Sequence, residues 1–414
     1  MKLKGYLIVS IIFLAILTLG AVSAADNMTA DDLPIVGDSG DFDLYSSYEG
    51  IISDGKISNL SGDSSIDNKL STSNNDKISN AEVIITPDNI SKSDNQIENG
   101  SYKFIGDFNR SFSYLSFESG CRIDATQARF VDMGIVLSGD VQINGLTLSA
   151  NNSNQFFEDA LIYVTGDGNV LENLNVKYES GDGNDAYAIL LSGANDFQLL
   201  NSKINFTGSS LSKYYEYALK IISCAGGLIQ SNTIWANLPI LNVDYNKGNP
   251  GMDTDLVLNT GLKESNNIDI IGNTFIAKVI NRLGDFPTLD CVLLESCENI
   301  NLINNTLKES DFITPFNNTN YLNVLDMYYS SHILVKGNNI CVETGGGSLN
   351  AGTAYPIQIC GPYEDVLIDG NDIYASSAGP ALGIYSQNFY GDTEILVQNN
   401  NIDVTGLSSV NSWG

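Results

Sequence analysis

The sequence predicts an all-β chain: a right-handed, single-stranded parallel β-helix, or solenoid, of about nine regular coils preceded by irregular N-terminal capping rungs. Three observations predict it. The first is a six-residue phrase (aliphatic, any, Gly/Asn/Ser, often Asn, any, aliphatic or Phe) that opens at Ile143, Leu171, Leu199, Ile229, Ile270, Leu302, Val335, Ile368 and Val397. Its closing residues, Leu148, Val176, Ile204, Ile234, Phe275, Leu307, Ile340, Ile373 and Ile402, lie 28, 28, 30, 41, 32, 33, 33 and 29 residues apart. Units at such a period cannot bury an apolar face alone and must stack on their neighbours. The second is a short apolar run before each phrase, as at residues 186–191, 217–222 and 291–294, alternating at period two and bounded by Gly, Asn, Asp and Ser. That is strand and turn chemistry. The third is the Asn two residues before the closing aliphatic: Asn232, Asn273, Asn305, Asn338, Asn371 and Asn400 hold that place in six consecutive coils. Asn tolerates the left-handed backbone of a tight corner, and identical amides stacked about 4.8 Å apart can hydrogen-bond along the pile. The expectation is an Asn ladder at one corner.

The remaining elements follow in order. Residues 1–25 read as an export signal: Lys2 and Lys4, an apolar run over residues 7–19 and the small residues Val22, Ser23, Ala24 and Ala25. The run is short for a membrane span, so cleavage near Ala24 or Ala25 is expected, leaving no stable transmembrane segment. Residues 26–81 are rich in Ser, Asn, Asp and Gly and are expected to form a disordered spacer. Residues 82–140, with irregular β pattern, are the expected cap and first rungs, which cover the open strand edges of a solenoid. Residues 141–406 carry the repeats. The tail, 407–414, offers only Trp413 to cover the final coil, and this end is a candidate for self-association or docking on another chain.

Composition excludes some functions. Forty-nine acidic residues against twenty basic ones give a net charge of −29, which disfavours nucleic acid and anionic membranes. Surplus carboxylates at turns can collect Ca²⁺, and Asp182, Asp185, Asp253 and Asp255 are the candidates, although no EF-hand spacing is present. Otherwise no cofactor is expected. Of six cysteines, Cys224 and Cys297 share a register, but Ser265 occupies the coil between them, about 10 Å of separation and beyond disulfide reach. Buried thiols are the expectation. The single His332 reads as an edge or surface residue, and no Ser/His/Asp set or zinc spacing is identifiable.

Variation in coil length is expected between each closing aliphatic and the next coil's first strand, so those loops stack along one edge, where binding is most readily placed. The longest spans residues 235–255. Trp235, Asp244 and Tyr245 there, with Tyr214 and Tyr215 on a neighbouring coil, are the candidate ligand-binding residues, an aromatic and polar edge suited to sugars. Sequons of the form Asn-x-Ser/Thr occur at Asn27, Asn59, Asn89, Asn99, Asn109, Asn151, Asn205, Asn304 and Asn317; Asn304 lies inside a repeat phrase.

Signal, spacer, capping stretch at residues 102–137 and Val-x-x-x-Asn-x-Ile coils together resemble the archaeal adhesin-like surface proteins, whose parallel β-helix repeats are related to pectate-lyase-like folds. The resemblance implies an exported, cell-surface protein that binds glycans or other cell-surface molecules without catalysis. Similar folds also host pectate lyases, polygalacturonases and uronate epimerases. A lyase of that kind resembles a carboxylate cluster facing an Arg base, for which Arg282 with Asp253, Asp255 and Asp285 is the candidate group here, with Ca²⁺; the motifs of a polygalacturonase are missing. A structural envelope component is the third alternative.

Overall fold

The computed structural model describes residues 82–406 apart from 91–95, 152–155, 182–184, 209–215, 239–240, 243–254, 280–281, 284–287, 313–320, 346–352, 378 and 388–393. It is an all-β solenoid with parallel pairing throughout its main sheet. Each turn of the chain contributes three strands, and each strand pairs with its counterparts one turn before and after.

The first face runs Ala160–Thr165, Ala186–Ser192, Glu216–Ile222, Asp255–Lys263, Thr288–Glu295, Tyr321–Tyr328, Thr353–Cys360 and Ile384–Gln387. The second runs Gln142–Asn144, Val170–Glu172, Phe197–Leu200, Ala225–Gln230, Asn266–Ile271, Glu298–Ile303, Ser331–Lys336, Val366–Asp369 and Ile395–Gln398. The third runs Thr147–Asn151, Asn175–Glu179, Lys203–Thr207, Thr233–Leu238, Thr274–Val279, Thr306–Phe312, Asn339–Gly345, Asp372–Ser377 and Asn401–Gly406. About seven turns, from Ala160 to Ser377, carry all three strands over a closed core, against the nine coils expected. The outer two phrases differ from the rest: the first enters from longer strands, and in the last Ile395, Ile402 and Val404 are only half-buried among the described residues.

Before the regular turns, Ser101–Phe117 and Arg122–Ser138 pair along their lengths, each bending through what three separate strands cover later. Val83–Ile85 and Gln96–Ile97 add to the outer edge of the former. Phe104, Phe108, Phe117 and Phe130 plug the interior here, with Phe104 5.6–6.0 Å from the other three ring centroids and Phe108 5.1 Å from Phe130. Aromatic pairs at such separations exceed the value of their buried area.

The repeat phrase is the corner between the second and third faces, where two residues separate the strands in every turn. Its third position is left-handed in all nine phrases: Gly145, Asn173, Asn201, Ser231, Gly272, Asn304, Gly337, Gly370 and Asn399 have φ between 50° and 80°. This corrects one expectation. The left-handed residue is the one before the ladder Asn, which explains why Gly, Asn and Ser alternate there, since Cβ penalises that backbone least for these types. The ladder Asn is selected for its amide.

That ladder is continuous. Nδ2 of Asn232, Asn273, Asn305, Asn338 and Asn371 donates to Oδ1 of the next member at 3.0, 3.0, 3.1, 3.0 and 2.8 Å. Each Nδ2 also donates to a second-face carbonyl, for example Asn305 to Ile270 O at 2.7 Å, while Oδ1 accepts the backbone N–H of the preceding member. A Ser prefixes the column: the N–H of Ser202 donates to Asn232 Oδ1, and its own Oγ receives the N–H of Leu174.

At the corner between the first and second faces, Cys224, Ser265, Cys297 and Ser330 form a second column. The Cys224 N–H donates to Ser265 Oγ at 3.1 Å and the Cys297 N–H to Ser330 Oγ at 3.0 Å, while each thiol points back to the carbonyl two residues earlier. None of the six cysteines forms a disulfide, and only Cys341 is not buried.

Candidate functional site

Most length variation lies between the third face and the next first-face strand, where connections range from six residues to the sixteen between Leu238 and Asp255. It is not the sole place: the corner between the first and second faces has two residues at Ile222 to Ala225 but five at Cys360 to Val366. The expected binding residues Tyr214, Tyr215, Asp244 and Tyr245, and Asp182, Asp253 and Asp285, lie outside the described residues. Asp255 opens a first-face strand paired with Thr288, whereas Arg282 lies in the small separate sheet where Arg282–Leu283 pairs Leu241–Asn242. The backbone therefore does not bring Arg282 and Asp255 into one ladder.

Asp185 reaches the Tyr187 hydroxyl at 3.4 Å. It also helps raise Asp159 above the usual carboxylate range, after the larger effect of Asp159's own partial burial. Among the described residues no group of three His, Cys, Asp or Glu side chains is placed to hold a metal ion. His332 is the second residue of Ser331–Lys336, with φ 56°, its Nε2 3.3 Å from Asp365 and its Nδ1 3.7 Å from Glu298.

What sequence reading missed is the outer side of the first face. Two rows run along it, facing away from the aliphatic core. One contains Tyr187, Tyr217, Asp290, Asn323 and Tyr355; the other Leu190, Lys220, Gly261, Leu293, Asp326, Gln358 and Tyr385. Their direction follows from the packing: Leu219, Ile221, Val292, Leu294, Leu325 and Met327, which flank them, belong to the core, whereas Tyr187, Tyr217 and Leu293 form a separate cluster.

At one end, Tyr187 and Tyr217 stack at 5.9 Å, and Lys220 Nζ lies 4.3 Å from the Tyr217 ring centroid and 3.2 Å from its hydroxyl. Gly261 makes this possible, since a Cβ there would come within 2.7 Å of the Tyr217 ring. Burial pushes the Lys220 ammonium down to about 8; Glu295 opposes the shift and Lys263 adds to it. Two to three turns on from Lys220, Asn323 Nδ2 donates to Asp290 Oδ1 at 2.9 Å and reaches Asp326 Oδ2 at 3.4 Å, all three residues being buried. Asn323 Oδ1 has no described partner. Beyond them Tyr355 and Tyr385 pair at 5.1 Å. The signal was present in the sequence as Tyr, Asp, Asn and Lys in runs that are otherwise aliphatic.

Trp235 lies elsewhere, on the outer side of the third face, 43% exposed and flanked by Asn205 and Ile276 on adjacent turns. With Asn205, Phe206, Thr207, Asn237 and Lys278 it lines a shallow concavity of about 240 Å³.

These features define a parallel β-solenoid with aromatic and polar rows on one outer face. No protein-family model and no curated protein sequence matches the chain. Among solved structures it is similar to the periplasmic alginate epimerase AlgG (9% identity, 78% of this chain and 83% of that chain, TM-score 0.42). It is also similar to PfbA, a surface adhesin of Streptococcus pneumoniae (12%, 76% and 85%, 0.42), and to the Dettilon tailspike protein (12%, 78% and 68%, 0.30). Likeness at this level assigns no activity.

Proposed function

We propose that this chain is an exported, adhesin-like surface protein of the kind its sequence resembles, binding glycans through the outer side of the first face and the adjoining loop edge. The observation that carries the reading is the pair of outward rows itself: the half-buried rings of Tyr187 and Tyr385 stand along a face whose buried polar residues, Asp290, Asn323 and Asp326, are tied to one another and hold it rigid. Ligand sites of this type combine apolar and aromatic walls with a few fixed polar groups. A sugar offers both kinds of surface, C–H patches for the rings and hydroxyls for amides and carboxylates. The loop residues Tyr214, Tyr215, Asp244 and Tyr245 border the same edge in sequence and belong to the proposed surface. The net charge of −29 favours neutral glycans over polyanions.

The test is a glycan array with and without calcium, joined to an ultraviolet assay for unsaturated uronate. Calcium-independent binding without product supports the proposal. Product formation would replace it with a lyase, and silence in both assays with a structural role. Tyr385→Ala and Tyr245→Ala should each weaken binding at least tenfold; unchanged affinity in both variants removes this face from the reading.

A further inference from the structure

Nine sequons are scattered along the chain, and their settings differ. The Asn89 amide is committed to a turn, accepting from the Thr86 N–H at 2.7 Å and donating to Ile84 O at 2.9 Å. Asn304 is the left-handed corner residue itself, and the next residue of its sequon, Asn305, is a buried ladder member. Asn205 is different. It is exposed at the centre of Lys203–Thr207, and among the described residues no hydrogen bond engages its side chain. Strand alternation turns Asn205 and Thr207 outward while Ile204 and Phe206 are buried.

Its neighbours form a prepared surface. Register places Trp235 directly beside Asn205, and Asn237 beside Thr207. These residues, with Lys278, line the concavity of about 240 Å³, below the roughly 300–1,000 Å³ of drug-sized ligand pockets and suited to one pyranose ring. Trp235 offers an exposed indole, an amphipathic surface on which sugar C–H groups can lie. Asn237 completes the lining beside Thr207, its Oδ1 buried without a described partner.

We propose that Asn205 is an N-glycosylation site whose first sugar packs on Trp235 and fills this concavity. In the transfer, Asn205 Nδ2 bonds to the anomeric carbon of a lipid-phosphate-linked oligosaccharide. The bond from that carbon to the phosphate oxygen breaks, the electron pair leaves with the phosphate, and one amide proton passes to a base of the membrane-bound oligosaccharyl transferase. Transfer precedes folding, because pairing with Asn175–Glu179 and Thr233–Leu238 afterwards holds the sequon extended. The finished strand still tolerates the sugar, since it projects from the outer side and touches no ladder bond. The inference rests on the export part of the proposed function.

The experiment is mass spectrometry on the chain purified under denaturing conditions from the cells that produce it, reading both the N-terminus and the Asn205 peptide. A processed N-terminus with a hexose- or hexosamine-containing mass on that peptide is expected. Asn205→Gln and Thr207→Val, which alters the sequon but keeps Asn205, should each abolish that mass. Trp235→Ala should retain it while making the sugar several-fold more sensitive to an endoglycosidase. A processed chain with a bare Asn205 peptide overturns this inference and leaves export standing; an unprocessed cytosolic chain overturns both. Sugar that dissociates on denaturation overturns the covalent site in favour of reversible binding.

Discussion

A single ladder asparagine carries four bonds that no other residue type reproduces. Asn305 accepts from the N–H and Nδ2 of Asn273 and donates to Ile270 O and Asn338 Oδ1. Asn305→Ala strands several buried groups, each costing about 1–3 kcal/mol, so urea denaturation should show a loss of roughly 3 kcal/mol or more. Asn400→Ala, at the half-buried last position, should cost clearly less; equal losses would mean the column is decorative. Lys220 gives a pH-dependent signature. Its pKa falls from 10.5 in the unfolded chain to about 8 in the fold, so between those values the unfolded state holds more protons and stability rises with pH. The burial cost is fully present below pH 8, and up to about 3 kcal/mol of it is relieved by pH 10.5. Relative to Lys220→Met, the wild type should therefore gain stability across pH 8–10.5 in chemical denaturation, a comparison in which the other titrating groups cancel. The ladder was legible in the sequence because one residue type recurs at one offset. The Lys220 and Asn323 environments were not, because outward rows on a strand become visible only when the register between turns is known.

Among elements, the two kinds of corner follow opposite rules. The corner between the second and third faces has two residues in every turn, and its left-handed third position, the ladder and both flanking strands are fixed together. Connections from the third face to the first vary from six to sixteen residues, and among the described residues no side-chain ladder like the Asn column spans them. Inserting Gly-Ser-Gly after Gly284 should therefore change the midpoint of urea unfolding little, in line with the weak dependence of closure entropy on loop length. The same insertion after Asn304 breaks two ladders and should abolish soluble expression or lower the midpoint sharply. Comparable effects at both sites would contradict the division. The same asymmetry made the repeat corners readable and the loop edge unreadable. Periodicity reports positions that are held constant, whereas candidate residues such as Tyr245 and Asp253 rest on side-chain chemistry alone, which places no constraint on where they sit.

For the solenoid as a whole, stability is a sum of turns and the interfaces between neighbours, so the ends are its weak points. The two ends are built differently. The first rungs close on four interlocked phenylalanines, whereas Ile395, Ile402 and Val404 of the last described turn are only half-buried and Val397 is exposed. The free cysteines report this gradient, because buried thiols react only after local opening. Burial raises Cys121, Cys224, Cys291, Cys297 and Cys341, Cys297 to about 11, which further suppresses the reactive thiolate at neutral pH. In mild urea, labelling read by mass spectrometry should therefore find Cys341 first, as the one thiol not buried. Cys360, one turn from the weak end, should follow, with Cys297, Cys291 and Cys224 in the middle turns slower by at least tenfold. A folded chain that opens in one cooperative step would label its five buried thiols at a common rate set by global unfolding. That result would show coupling between turns strong enough to erase the difference between the plugged first rungs and the half-buried last described turn.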